Sequence, residues 1–283
     1  MQNILRTLIL DDQISLTLAD TTELVRHAQE IHGLNRDGAT VLGKLLSAAA
    51  FMSAALKEES GEISFAVQGN GLSGPINVSG NYALQVRGYM ENAAAAGDEP
   101  AILGDEGSLT VIRDDGYSRP FVGASAFPQS VSVENILEEY YRISEQLPTF
   151  FGCVVDFDGD GKVAFAGIAV LQPLPFTDEK VVEGLPKGQE LQAIVRRIHS
   201  EGLEKVAIDA FSAKLDGIKS RRVTYTCNCS RPYLMQVLTS LGEEQMRAII
   251  REDGAVRVHC HYCNTDYSFD DADADYMFKK RFE

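Results

Sequence analysis

Cys227-Asn228-Cys229-Ser230 and Cys260-His261-Tyr262-Cys263 stand thirty residues apart near the end of the chain, and reading them decides how it is divided. The first pair is CxC and the second CxxC. Thiolates are soft donors, and a structural zinc ion takes four of them in a tetrahedron at about 2.3 Å. Two short pairs, brought together by an insert of helical texture, supply that set. The spacing therefore predicts one zinc ion per chain in the reduced state, held by Cys227, Cys229, Cys260 and Cys263. Within the insert, Ser240 and Glu243 read as a capping box for a helix ending near Gly254, and Val256-Arg257-Val258 reads as a strand entering the second pair.

A module of this size has a core worth only roughly 3–5 kcal/mol. Structural zinc contributes on the order of 10–16 kcal/mol in small zinc peptides. The module is thus expected to be folded with the ion and largely unfolded without it. Zinc-bound thiolates stay deprotonated, the form that oxidants attack. A Cys227–Cys229 ring would be small and strained, as reducible, regulatory disulfides tend to be. A redox switch is expected rather than an inert clip, with the CxxC pair oxidising first because its ring closes more easily. His259 and His261 flank Cys260, but four cysteines already satisfy zinc, so both are placed outside the ligand set. Arg221, Arg222 and Arg231 lie beside the CxC pair, either offsetting the zinc–thiolate charge or standing as solvated surface charges.

Upstream, residues 176–226 read as an amphipathic linker. Leu191, Ile194, Val195 and Ile198 repeat at helical spacing, and Leu203, Val206, Ile208 and Phe211 continue the apolar supply among many charges. Before it, residues 1–175 mix strands and helices. The first fifteen or so residues read as strand. Asp20-Thr21-Thr22-Glu23 reads as a capped helix start, and a second helix runs from about Asp37 to Lys57. From Gly61 to Arg113, short alternating segments broken by Gly and Asn read as strands and hairpins. A helix over Val133–Glu145 and strands over Phe150–Phe157 and Lys162–Leu171 follow, and Gln172-Pro173-Leu174-Pro175 closes the region. The fold class is α+β: a core domain over 1–175, the linker over 176–226, and the zinc module over 227–283.

Composition narrows the function classes. The 283 residues carry a formal net charge of −15, which argues against nucleic-acid or anionic-membrane partners. Residues 221–283 hold nine Lys/Arg and ten Asp/Glu, too nearly neutral for a nucleic-acid-binding zinc module. The longest apolar stretch, Val41 to Leu56, is mostly Ala, contains Lys44, Ser47 and Ser53, and reads as a buried core helix rather than a membrane span. Met1 to Asp12 does not read as a secretory signal, so the reducing cytosol is the expected setting.

Other features are discounted. Asp156-Phe157-Asp158-Gly159-Asp160-Gly161 opens like a calcium loop, but Gly167 stands where the bidentate Glu belongs and both flanks read as strands. Cys153 sits in an apolar strand and reads as a core residue. The glycines of Gln68–Gly74 match no phosphate-binding loop. No Ser-His-Asp or paired-carboxylate set stands out, so no catalytic residue is assigned and the chain is not read as an enzyme.

Taken together, Gln68-Gly69-Asn70-Gly71, Val86-Arg87-Gly88-Tyr89, Tyr141 with Ser144-Glu145-Gln146-Leu147-Pro148-Thr149, and the CxC…CxxC set resemble the signatures of the heat shock protein 33 family. The resemblance covers essentially the whole chain. It implies a redox-regulated, ATP-independent holdase chaperone of the bacterial cytosol. Oxidation is then expected to expel zinc, to form neighbour disulfides mapping onto Cys227–Cys229 and Cys260–Cys263, and to unfold module and linker. Apolar surface, with Leu191, Ile194, Val195 and Ile198 as candidate client-binding residues, would then hold unfolding or oxidatively damaged proteins, and the activated form would be a homodimer. The rival reading is a zinc-containing thiol–disulfide oxidoreductase using Cys260 and Cys263, though the pair lacks a thioredoxin-like βαβ context.

Overall fold

The structure, a computed structural model, describes residues 2–279. The chain turns back on itself within twenty residues: β1 (Ile4–Ile9) and β2 (Ile14–Asp20) form an antiparallel hairpin. Sequence reading expects one strand here. Leu10, Asp11 and Asp12 instead take successive left-handed conformations, with φ of 52°, 53° and 62°, and reverse the chain. The expected capped start at Asp20-Thr21-Thr22-Glu23 leads into α1 (Thr22–His32). Thr21 makes no capping bond with its side chain, because its hydroxyl lies 2.6 Å from that of Ser47 in the core. Asp20 Oδ1 takes over, accepting from the Thr22 amide at 3.0 Å.

Helix α2 (Arg36–Ala54) is capped by Asn35, whose side chain accepts from the Gly38 amide at 2.8 Å. It is apolar on nearly every side, as suits a helix surrounded by protein. Gly43 lets α1 approach closely, since a Cβ there would lie 2.6 Å from Val25. Next come β3 (Glu62–Gly69), β4 (Ile76–Asn81), β5 (Gln85–Met90), α3 (Glu99–Leu103), β6 (Gly107–Asp114), β7 (Phe121–Ala126) and α4 (Val133–Tyr140). The helix expected to reach Glu145 stops being α-helical at Tyr140. Residues Tyr141–Glu145 form one π turn, and Gln146 ends it in a left-handed conformation. Glu145 pins that turn, accepting from Tyr140 Oη at 2.7 Å and from Arg113 at 2.9 Å.

Strands β8 (Phe150–Phe157) and β9 (Val163–Pro173) then pair antiparallel. Their turn is the calcium-like loop: Asp158 Oδ1 accepts from the amides of Asp160 and Lys162, so this carboxylate closes the hairpin. The remainder of the first part comprises α5 (Glu179–Glu183), α6 (Gly188–Glu201), α7 (Leu203–Phe211), β10 (Lys219–Arg221) and β11 (Thr224–Tyr225). One sheet has the order β10-β1-β2-β9-β8 and the other β11-β5-β4-β3-β6-β7. Helix α2 packs on strands of both sheets, and α6 and α7 cover the outer face of the first. Strand β9 is therefore buried on both faces and almost continuously apolar. The fold is mixed α+β.

Residues 1–226 make one compact unit and 227–283 a second. Helices α5 to α7 thus pack within the first unit rather than standing apart from it. The second contains α8 (Arg231–Thr239), α9 (Glu243–Asp253), the hairpin β12 (Val256–Cys260) and β13 (Thr265–Phe269), and α10 (Asp271–Lys279). The expected capping box is absent. Gly242 takes the N-cap position of α9, and Ser240 Oγ donates to the Val237 carbonyl at the end of α8. Gly254, left-handed at φ 79°, does end α9. No helix among the described residues is long and apolar enough to cross a membrane.

Candidate metal centre

The hairpin explains how the four cysteines meet. Val256 pairs with Phe269, Val258 with Tyr267 and Cys260 with Thr265. Alternation therefore puts Val256, Val258, Tyr267 and Phe269 on the face that packs into the small core, and Cys260 at the end of that same face. Asn264, left-handed at φ 52°, closes the turn that carries Cys263. On the other side, Ser230 caps α8 by accepting from the Tyr233 amide, so Cys227 and Cys229 enter along the extended segment before that helix.

All four sulfurs lie within 4.8 Å of one another, and none is in a disulfide. Cys227 and Cys260 approach to 3.6 Å, and Cys229 and Cys263 to 3.1 Å. Tetrahedral zinc–thiolate geometry separates neighbouring sulfurs by roughly 3.8 Å. The donor set and its spacing fit one metal ion. Burial, helped by the neighbouring cysteine sulfurs, pushes the thiols of Cys229, Cys260 and Cys263 up. A bound divalent cation reverses that trend, because a coordinating thiol is deprotonated outright.

Tyr267 is the site residue that spacing arguments missed. Its hydroxyl lies 3.4 Å from Cys229 Sγ, and the hydrogen bond to that sulfur pushes the phenol up to about 12. The available signal was parity: two residues beyond Thr265, it had to share the face of Cys260. The histidines stand apart. His259 Nδ1 pairs with Asp266 Oδ1 at 2.7 Å on the opposite face, and its ring meets that of His261 at 5.0 Å. The arginines are engaged elsewhere or exposed. Arg231 donates to the Ser268 carbonyl at 2.9 Å and to Asp273, and lies over the Phe269 ring. Arg221 donates to the Tyr82 carbonyl and covers the Tyr82 ring, while Arg222 is exposed.

The four candidate client-binding residues share helix α6. Leu191, Val195 and Ile198 are buried and Ile194 is partly so, facing β8 and β9. The fit is close at Gly152, where a Cβ would lie 2.7 Å from Leu191 Cγ. A polar clasp adds to it. Gln192 Nε2 donates to Glu134 Oε1 at 3.0 Å, and the other Glu134 oxygen takes the buried Lys44 ammonium at 2.9 Å. Glu99 also binds Lys44, at 2.5 Å. Burial opposes the Lys44 charge, but Glu134 and Glu99 outweigh it and raise the pKa. Cys153 is buried on β8, and burial raises its thiol well above the ordinary range, so it stays inert.

The comparisons with known proteins agree along the whole chain. A family model described as Hsp33 protein matches residues 2–270. The 33 kDa chaperonin of Bacillus mycoides is 31% identical over 288 residues, covering 98% of each chain. That of Bacillus cytotoxicus is 30% identical, covering 94% of each. The crystal structure of the 33 kDa chaperonin from Thermotoga maritima superposes with a TM-score of 0.80 at 25% identity, over 99% of this chain and 98% of that one. Four clustered cysteines able to hold a metal ion, an α+β fold and a match spanning 2–270 lead to one assignment: the chain belongs to the Hsp33 family, whose curated members are named chaperonins.

Proposed function

We propose that this protein is a redox-regulated, ATP-independent holdase of the cytosol, in which residues 1–175 are the chaperone core, 176–226 a releasable linker and 227–283 the switch. The observation that carries the reading is the apolar face of α6. Leu191, Val195 and Ile198 are covered in the resting form and lie in a segment that runs directly into Cys227. A covered apolar stripe becomes a binding patch once released.

In the reduced protein Cys227, Cys229, Cys260 and Cys263 hold one zinc ion, which supplies the folding energy that the small module lacks. Oxidation by peroxide converts the four thiolates to two disulfides, Cys260–Cys263 first and Cys227–Cys229 second. Each disulfide uses one peroxide, which with two protons leaves as two waters. The ion loses its donors, the module unfolds, and the linker follows. Exposed Leu191, Ile194, Val195 and Ile198 then bind unfolding or oxidatively damaged proteins, and the activated form dimerises. No covalent change is made to the client, so the role is binding rather than catalysis.

The test is peroxide with mild heat. The expected result is release of one zinc per chain and suppression of a client's aggregation without ATP. Retained zinc and no protection would refute the reading. Insulin reduction by the reduced protein would point instead to a thiol–disulfide oxidoreductase.

A further inference from the structure

A cleft of about 750 Å³ opens beside edge strand β10 in the first unit, and its charge runs against that of the protein. Arg6, Lys57, Lys214, Lys219 and Arg221 line it, with Asp12 and Asp216 as the carboxylates among the described lining residues. The chain as a whole carries −15. The register of the paired strands forces the crowding. Arg6 lies directly opposite Lys219, and Arg221, two residues along β10, is opposite Ile4, so three cations share one face of a two-strand ribbon. Like charges placed directly opposite each other destabilise a sheet.

Among the described residues, no carboxylate forms a salt bridge with any of these cations. Arg6 and Arg221 donate to the carbonyls of Ala54 and Tyr82, and neither carbonyl carries a countercharge. Lys57, Lys214 and Lys219 are exposed. Arg6 Nε is buried without a hydrogen-bond partner. Burial, with the neighbouring Arg221 adding to it against the opposing Tyr141, lowers the basicity of Arg6. One wall is formed by Tyr82, partly exposed beneath the Arg221 guanidinium at 4.8 Å from its ring centroid.

We infer that this cleft is a binding site for a small phosphate-bearing anion. A phosphate group offers several acceptor oxygens and more than one negative charge, matching a mixed set of guanidinium and ammonium donors. The volume suits a nucleotide-sized molecule as well as a bare di- or triphosphate. Occupancy has a structural consequence: Arg6 comes from β1 and Lys57 from the connection after α2, whereas Lys214, Lys219 and Arg221 come from the 176–226 segment. An anion held by both groups fastens that segment to the sheet. This inference does not depend on the redox reading, because it concerns equilibrium binding to the resting protein.

The test uses full-length, zinc-loaded protein with pyrophosphate and ADP as separate probes, followed by calorimetry and by melting temperature. Sodium chloride at matched ionic strength is the control, and zinc content is measured before and after. The expected result is saturable binding at one site per chain, with a raised melting temperature that chloride does not reproduce. The double variant Lys57→Gln, Lys219→Gln removes two exposed side chains and should fold normally. It should weaken binding by at least about tenfold. Tighter binding of ADP than of pyrophosphate identifies a nucleotide with its ring against Tyr82, and equal binding identifies the phosphates alone. Saturation by neither probe, or unchanged affinity in the double variant, overturns the site.

Discussion

Helices α2 and α9 show how differently the two units are held. Sixteen of the nineteen residues of α2 are buried, and both sheets pack on it. Of the eleven residues of α9, only Met246 and Ile250 are buried. The same contrast runs through each unit. The first has two extensive apolar clusters, one on each face of the sheet that contains β9. Among the described residues the second has a single cluster of eight buried residues, including Phe269 and Met246. Burial of apolar surface sustains the first unit, while the second is small enough for its core to contribute only roughly 3–5 kcal/mol and has four sulfurs converging at one end of it. Under the proposed function, dependence on a ligand for folding is what makes the second unit switchable.

The largest expected effect is on that contrast itself. Removing zinc with a chelator under reducing conditions should unfold residues 227–279, loosen 176–226 and leave most of 2–175 protected, as read by amide hydrogen exchange. Persistent protection of α8, α9 and the β12–β13 hairpin without metal would break the comparison. Next is Leu191→Ala, which empties the contact with Gly152 and should cost about 2–5 kcal/mol, as buried leucine truncations do. Faster exchange confined to 176–211, together with client protection at lower oxidant doses, is the expected outcome.

Gln192→Leu should cost less, about 1–3 kcal/mol, because it strips a buried carboxylate oxygen of Glu134 of its amide donor. Its signature is faster exchange in α6 with unchanged zinc affinity. The smallest effect belongs to Tyr267→Phe. Losing the hydroxyl at Cys229 removes roughly 0.5–1.5 kcal/mol of hydrogen bonding and should speed alkylation of that sulfur several-fold. Alkylation of Cys260 should change little, and equal acceleration at both would mean that the hairpin had loosened generally.

Much of this was legible in the sequence, for identifiable reasons. The α2 run and the alternating strands of 61–113 carry their periods locally, and the cysteine spacings point to the four residues whose sulfurs the structure brings together. What escaped depends on distant partners. Thr21 stands at the N-cap position of α1 without a capping bond because Ser47, twenty-six positions away, engages its hydroxyl. Strands β10 and β11 are three and two residues long and exist only through pairing with β1 and β5. The π turn at Tyr141–Glu145 is fixed by Arg113 across the structure. Ser240 and Glu243 have the spacing of a capping box, yet Gly242 starts the helix and leaves Ser240 to close the preceding one.

The central claim is that metal ligation by Cys227, Cys229, Cys260 and Cys263 controls exposure of the α6 face. Its most direct test is one peroxide titration in which zinc release, free thiols and exchange of residues 188–201 are read from the same samples. The account predicts that α6 loses protection in step with the loss of four thiols and one zinc ion, and regains it on reduction with zinc restored. Complete zinc release with α6 still protected would contradict it.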